Sequence, residues 1–168
     1  IDWNFERGDT LKYYYQSHLD KFKGKKILHF APEQELIDFF RNLSRDQGIY
    51  YRTADAFLKN VDHRVDICHA SSSIPEKFDI IIIHRVLEHI VDDKAAVSNL
   101  RQLLRPGGFI HHSVPMSCSN DTINWDIPDD SHEGHVRQYG RDYVQLFESI
   151  GLSTKVDDWL LSRSRDEY

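Results

Sequence analysis

"FDIIIIHRVLEHI", residues 78–90, decides the fold of this chain. Residues 78–84 form an unbroken apolar run of strand length, the pattern of a central parallel strand covered on both faces, whereas a half-exposed strand would alternate. Parallel strands need long crossover connections, and the flanking sequence supplies them. On one side "KKILHF" (25–30) reads as a buried strand, and "EQELIDFFRNLSRD" (33–46) sets Leu36, Phe39, Phe40 and Leu43 at spacings of a helix. On the other, "DDKAAVSNLRQLLRPGG" (92–108) aligns Ala96, Val97, Leu100, Leu103 and Leu104 on one helical face. Pro106, Gly107 and Gly108 are expected to stop that helix before the strand "FIHHSVP" (109–115).

Outward from this nucleus, "IYYRT" (49–53) is a strand ending near Asp55 and "RVDI" (64–67) a shorter one ending near Asp66. "GDTLKYYYQSHLDKF" (8–22) reads as a helix capped by Asp9, so that residues 1–24 form a helical bracket. "RDYVQLFESIG" (141–151) is a last helix, and "LSTKVDDW" (152–159) a last strand. The 25 residues "MSCSNDTINWDIPDDSHEGHVRQYG" (116–140) show no periodicity and are too long for a passive connector, so 115–140 is expected to be a substrate loop. Alternating strands and helices predict an α/β fold, a mostly parallel twisted sheet with helices on both faces. Ligands bind such sheets beyond the carboxyl ends of the strands, at the switch point of strand order.

A chain of 168 residues is sized for a single domain. Its net charge of -6 argues against a nucleic-acid partner. Two cysteines, Cys68 and Cys118, make neither a disulfide framework nor a four-thiolate zinc site, and they suit a reducing compartment. No membrane span or signal peptide is legible, so a cytoplasmic protein without a membrane partner is expected. The chain starts at Ile1 without a methionine, which fits a domain excised from a longer protein.

"FDIIIIHRVLEHI" followed by "LRPGG" resembles the class I S-adenosylmethionine-dependent methyltransferases over roughly residues 26–152, with their Rossmann-like fold. "LHFAPE" (28–33) and "HVRQYG" (135–140) resemble a subgroup found beside glycosyltransferases. The resemblance implies S-adenosyl-L-methionine as cofactor, with Asp55 on the ribose hydroxyls, Asp66 and Ile67 at the adenine, His84 and Arg85 along the methionine portion, and Phe30, Ala31, Pro32 and Glu33 forming the turn beneath. It further implies a saccharide or glycan acceptor, a glycosyltransferase domain on the same longer chain, and a glycan O-methyltransferase of a large chlorella virus acting on rhamnose, hence in host cytoplasm. The chain departs from the family at His29, where an acid is usual, and at Ala31 to Glu33, where glycines are.

The departure has a physical reading. S-adenosylmethionine has no pyrophosphate to be cradled by backbone amides, so small Ala31 and rigid Pro32 can replace glycine if the backbone avoids the left-handed region. Glu33 then either meets the methionine ammonium or complements the helix dipole. Methylating an alcohol requires a base, and histidine is the usual one. His135 is the first candidate, followed by His132 and His89, while Trp125, Asp126, Asp129 and Arg137 are candidates for the acceptor; the alternative is that residues 135–139 only anchor the loop, with Arg137 gripping a carboxylate. His132, Glu133 and His135 together suggest a metal, but their spacing fits no standard site, so none is expected. An N- or C-methyltransferase for another small molecule and a degenerate, non-catalytic domain serving a glycosyltransferase are the alternatives. A dehydrogenase is disfavoured, because no phosphate-binding glycine turn exists.

Overall fold

The computed structural model describes residues 7–129, 131 and 133–157. Five strands, β1 (Lys26–Phe30), β2 (Tyr50–Asp55), β3 (His63–Arg64), β4 (Phe78–His84) and β5 (Leu104–Ser113), form one sheet in the order β3-β2-β1-β4-β5. Every pairing is parallel. The order reverses between β1 and β4, which makes their carboxyl ends the switch point.

The apolar run of β4 divides as a pleated strand must, successive residues facing opposite sides. Ile80 and Ile82, with Ile27 of β1, pack on α1 (Arg7–Ser17) and α2 (Gln34–Gln47) through Tyr15, Leu36 and Phe40. Ile81 and Ile83, with Leu28 and Phe30, pack on α4 (Asp93–Leu103) and α5 (Tyr143–Glu148) through Val97, Leu100, Tyr143 and Phe147. A short α3 (Ala70–Ser73) completes that layer. Helix α4 starts where Asp92 accepts the Ala95 amide at 2.9 Å, and α2 ends at left-handed Gly48.

The structure alters several expectations. Helix α4 ends at Leu103, and "RPGG" lies within β5 as an irregularity: Phe78 pairs with Leu104, but Ile80 with Phe109. A Cβ at Gly108 would come within 2.8 Å of the Asp79 carbonyl, so only glycine fits there. Asp79 accepts the Lys26 amide at 2.8 Å and pairs with Arg105 at 3.2 Å, which gives the separated "FD" and "LRPGG" motifs one shared job, tying β4 to its neighbours on both sides. The described α1 already includes Arg7, so Asp9 lies inside it rather than capping it. Residues 152–157 form no strand; Leu152 packs on the core while Val156 is exposed.

Beneath the switch point lies a buried polar layer. The Tyr15 hydroxyl bonds His84 Nε2 at 2.9 Å and His111 Nδ1 at 2.7 Å, and His112 Nδ1 meets Tyr143 at 3.0 Å while its ring stacks on Phe147. Burial lowers the pKa of His84 well below the ordinary value, and lowers those of His111 and His112 to about 4. Unfolded histidines titrate near 6.5, so between these values the unfolded chain binds more protons and stability falls as pH is lowered. The urea midpoint is expected to hold above about pH 6.5 and to decline progressively toward about pH 4. His112→Phe, which keeps the stack on Phe147, is expected to flatten that decline. A midpoint constant over this interval would contradict buried neutral rings.

Candidate functional site

At the end of β1 the chain turns through Ala31, whose φ is 46°, while its amide continues the ladder to the Ala54 carbonyl at 2.9 Å. The expectation that Ala31 avoids the left-handed region is therefore overturned: the turn keeps the conformation glycine would adopt and tolerates a Cβ at a cost of about 1–2 kcal/mol. Pro32 is buried and Glu33 stands at the N-cap of α2 with extended φ and ψ, but its side chain makes no cap bond. The carboxylate instead lies 3.5 Å from His29 Nε2, whose Nδ1 meets the Tyr51 hydroxyl at 2.8 Å. Burial lowers the pKa of His29, an effect that Glu33 opposes.

The next two strand ends present acids. Asp55 Oδ1 accepts the amides of Phe57 at 2.6 Å and Leu58 at 2.8 Å, and Asp66 Oδ1 accepts that of Cys68 at 2.8 Å. Each is thus a turn residue, yet Asp55 Oδ2 has no hydrogen bond among the described residues and remains available to an incoming hydroxyl. Ile67 is buried behind Asp66. Beyond Asp55, Phe57 is 85% exposed, an aromatic face that sequence periodicity does not single out.

At the end of β4, the sequence expectation for His84 needs correction. Its ring is buried and bonded at both nitrogens, to Tyr15 and, at 2.8 Å, to Ser113 Oγ, so it holds strand ends together rather than lining a ligand. Arg85 does face the cleft: its φ is 54°, its amide donates to the Ser113 carbonyl at 2.8 Å, and its guanidinium reaches Glu133 at 3.4 Å and Glu88 at 3.8 Å. The single turn Leu87–His89 follows, with Glu88 buried and His89 exposed.

The segment read as aperiodic contains an antiparallel ribbon, β6 (Ile123–Asp129) and β7 (His135–Gln138), paired Ile123 to Gln138, Asn124 to Arg137 and Asp129 to His135. "HVRQYG" is its anchor. The Arg137 guanidinium is buried: it pairs with Asp93 at 2.8 Å, donates to the carbonyls of Ile90 at 2.7 Å and Val91 at 2.8 Å, and holds Asn124 at 3.0 Å. Tyr139 donates to the same Asp93 at 2.8 Å, and a Cβ at Gly140 would lie 2.5 Å from the Asp121 backbone. Of the two roles open to Arg137, acceptor ligand and anchor of its segment, the structure has the anchor: it is committed to docking the ribbon on the turn after β4. Side chains that must approach water cannot be spent in this way.

Docking brings together Arg85, Pro115, Trp125, Ser131, Glu133, His135 and Gln138 around a cavity of about 300 Å³. The rings of His89 and His135 meet edge to face at 4.7 Å. Of the expected acceptor and base residues, Trp125 and His135 line this cavity and His89 touches it through His135; His132 and the side chains of Asp126 and Asp129 lie outside the described residues. Pro115 and Gln138 fall within the expected substrate loop and Glu88 within the quoted "VLEH" motif, but the sequence singles out none of the three as a site residue. Arg137→Met is expected to cost about 3–5 kcal/mol in urea unfolding by stranding Asp93, with loss of hydrogen-exchange protection in the ribbon. A cost below about 1 kcal/mol would show that the clamp is not needed.

Residues 36–110 match a family model described as a methyltransferase domain. A ubiquinone biosynthesis O-methyltransferase of Parvibaculum lavamentivorans is 26% identical over 129 residues, covering 63% of this chain and 49% of that protein. The chain thus spans about half the length of this curated relative. In three dimensions it resembles a SAM-dependent methyltransferase from Archaeoglobus fulgidus, at 14% identity and TM-score 0.60, over 95% of this chain and 85% of that one. It also resembles the O-methyltransferase of a trans-AT polyketide synthase multienzyme of Brevibacillus brevis, solved with S-adenosyl-L-homocysteine, at 12% identity and TM-score 0.53, over 88% and 59%. No helix among the described residues is long and apolar enough to cross a membrane.

Proposed function

We propose that this chain is an S-adenosylmethionine-dependent methyltransferase domain, a reading its matched segment and fold support, and that it methylates a hydroxyl group of a saccharide. One observation carries the acceptor site: the cavity lies at the switch-point end of the sheet, roofed by the ribbon, and combines an aromatic wall, Trp125, with the polar groups of Arg85, Glu133, His135 and Gln138. Sugars present both apolar ring faces and hydroxyls, and such a lining suits both.

The residues present fit the cofactor. Asp55 has a carboxylate oxygen to offer ribose, Phe57 an open aromatic face, and Ala31 a turn with little side chain to obstruct approach. Glu33 makes no cap bond to the helix amides, which supports a role for its carboxylate at the methionine ammonium. When bound, S-adenosylmethionine supplies an electrophilic methyl group on a sulfonium. The chain's own contribution is to orient the acceptor oxygen, which is worth several kcal/mol, up to about 10, and to take its proton. That proton leaves toward the His89–His135 pair, and Glu133, 3.9 Å from His135 Nε2, steadies the charge. A glycosyltransferase domain on the same longer chain and a viral, rhamnose-directed, cytoplasmic role are consistent with the "LHFAPE" and "HVRQYG" motifs.

A second reading follows from the named function of the Parvibaculum relative: transfer to a hydroxyl of a quinone precursor. Assays with both acceptor classes separate the two, since methylation of the phenol with none of any sugar would replace the saccharide reading. Asp55→Ala is expected to weaken S-adenosylmethionine binding at least tenfold by calorimetry. His135→Ala is expected to lower turnover by at least about a hundredfold while leaving that affinity within threefold. The reverse pattern, weak cofactor binding with normal turnover, would remove His135 from the acceptor side.

A further inference from the structure

We propose that the buried imidazole of His29, held by Tyr51, is a positioning residue for the cofactor: its Nε2–H donates to the Glu33 carboxylate and keeps that charge facing the methionine ammonium. The inference rests on the reading of Glu33 as the partner of that ammonium. His29 is the penultimate residue of β1, and strand alternation puts its ring with Ile27 on the side of the sheet that α2 covers. There it is wholly buried, with Nδ1 2.8 Å from the Tyr51 hydroxyl and Nε2 3.5 Å from Glu33 Oε2.

The tautomer follows from these contacts. His29 Nε2 is enclosed, and among the described residues it has no hydrogen-bond partner apart from this approach to Glu33. With the proton on Nδ1, that atom would donate to the Tyr51 oxygen, and Nε2 would turn a lone pair toward a carboxylate. With the proton on Nε2, Tyr51 donates to Nδ1 and Nε2–H points at an acceptor, so each atom meets its complement. Burial lowers the pKa of the ring and keeps it neutral, against the opposing pull of Glu33. Tyr51 is fixed in turn: burial raises its pKa, so its hydroxyl stays a donor, and its ring stacks on Phe40 at 5.1 Å.

A neutral donor is what the cofactor's cation calls for. An imidazolium would cancel the carboxylate charge and repel an ammonium beside it, whereas a neutral N–H stabilises the ionised carboxylate and leaves its charge for the incoming cation. The 3.5 Å separation is longer than the roughly 2.7–2.9 Å of a charge-assisted bond, and the Glu33 side chain, 24% exposed, closes that gap by rotating about its own bonds. Oε2 is the enclosed oxygen and faces His29, so the relay commits that oxygen inward and Oε1 is the one the ammonium would meet.

The test compares two ligands by calorimetry: S-adenosylhomocysteine, which carries the amino group, and 5′-methylthioadenosine, which shares the nucleoside and thioether but lacks the amino-acid tail. His29→Leu is expected to weaken S-adenosylhomocysteine at least about tenfold and methylthioadenosine less than about threefold, the second ligand reporting that the variant folds. His29→Gln, whose amide donates from the place of Nε2, is expected to recover most of that loss, and Glu33→Gln to reproduce it. Nitrogen-15 spectra of the native chain are expected to show His29 protonated at Nε2. The glutamine variant and the spectrum decide even where leucine prevents folding. Equal losses of both ligands in the His29 variants, a loss confined to Glu33→Gln, or a proton on Nδ1 would overturn the relay and leave the cofactor reading standing. Unchanged S-adenosylhomocysteine binding in Glu33→Gln would overturn the Glu33 reading and the relay with it, and a native chain that binds neither ligand would overturn the cofactor reading itself.

Discussion

The Arg137–Asp93 contact sets the geometry on which the site depends. A guanidinium presents several donors in a fixed plane, and here they engage one carboxylate at 2.8 Å, backbone carbonyls of the turn after β4, and Asn124 of the opposite ribbon strand. Burying both ions is costly unless such bonds are satisfied, so the ribbon has one favourable seating. That seating carries His135 to His89 and Trp125 to Arg85. The cavity thus depends on an anchor that is not among its lining residues.

The turn after β1 answers to a different constraint. Glycine there would be free of strain, yet Ala31 holds φ at 46° and Arg85, across the switch point, holds 54°. Two side chains in the left-handed region on adjacent strands are maintained by their ladders, through the Ala54 and Ser113 carbonyls. Glu33 makes no cap bond; its carboxylate belongs to the His29–Tyr51 layer.

The central layers were legible because burial writes itself into periodicity. Ile80 to Ile83 and the helix faces at Leu36, Phe40, Val97 and Leu100 all point where the pattern predicts. The ribbon was not, because its exposed positions include Ile123 and Ile127, so apolar residues do not mark an inner face. "RPGG" resembles a helix stop in sequence, and only the strand register reveals an irregular strand entry. Motif position put the acids at the strand ends, as observed for Asp55, and His135 beside the cavity. His84 bonds a tyrosine from α1, a partner that leaves no trace in spacing, whereas Arg137 grips the Asp93 carboxylate, the anchoring alternative that its motif also allowed.

A crystal structure with S-adenosylhomocysteine tests the central claim most directly, that the glycine-free turn serves a methyl donor aimed at the ribbon-roofed cavity. The account predicts ribose hydroxyls on Asp55, the amino group at Glu33, and the sulfur opening toward His135 and Trp125. A ligand bound elsewhere on the sheet, or none at saturating concentration, would contradict it.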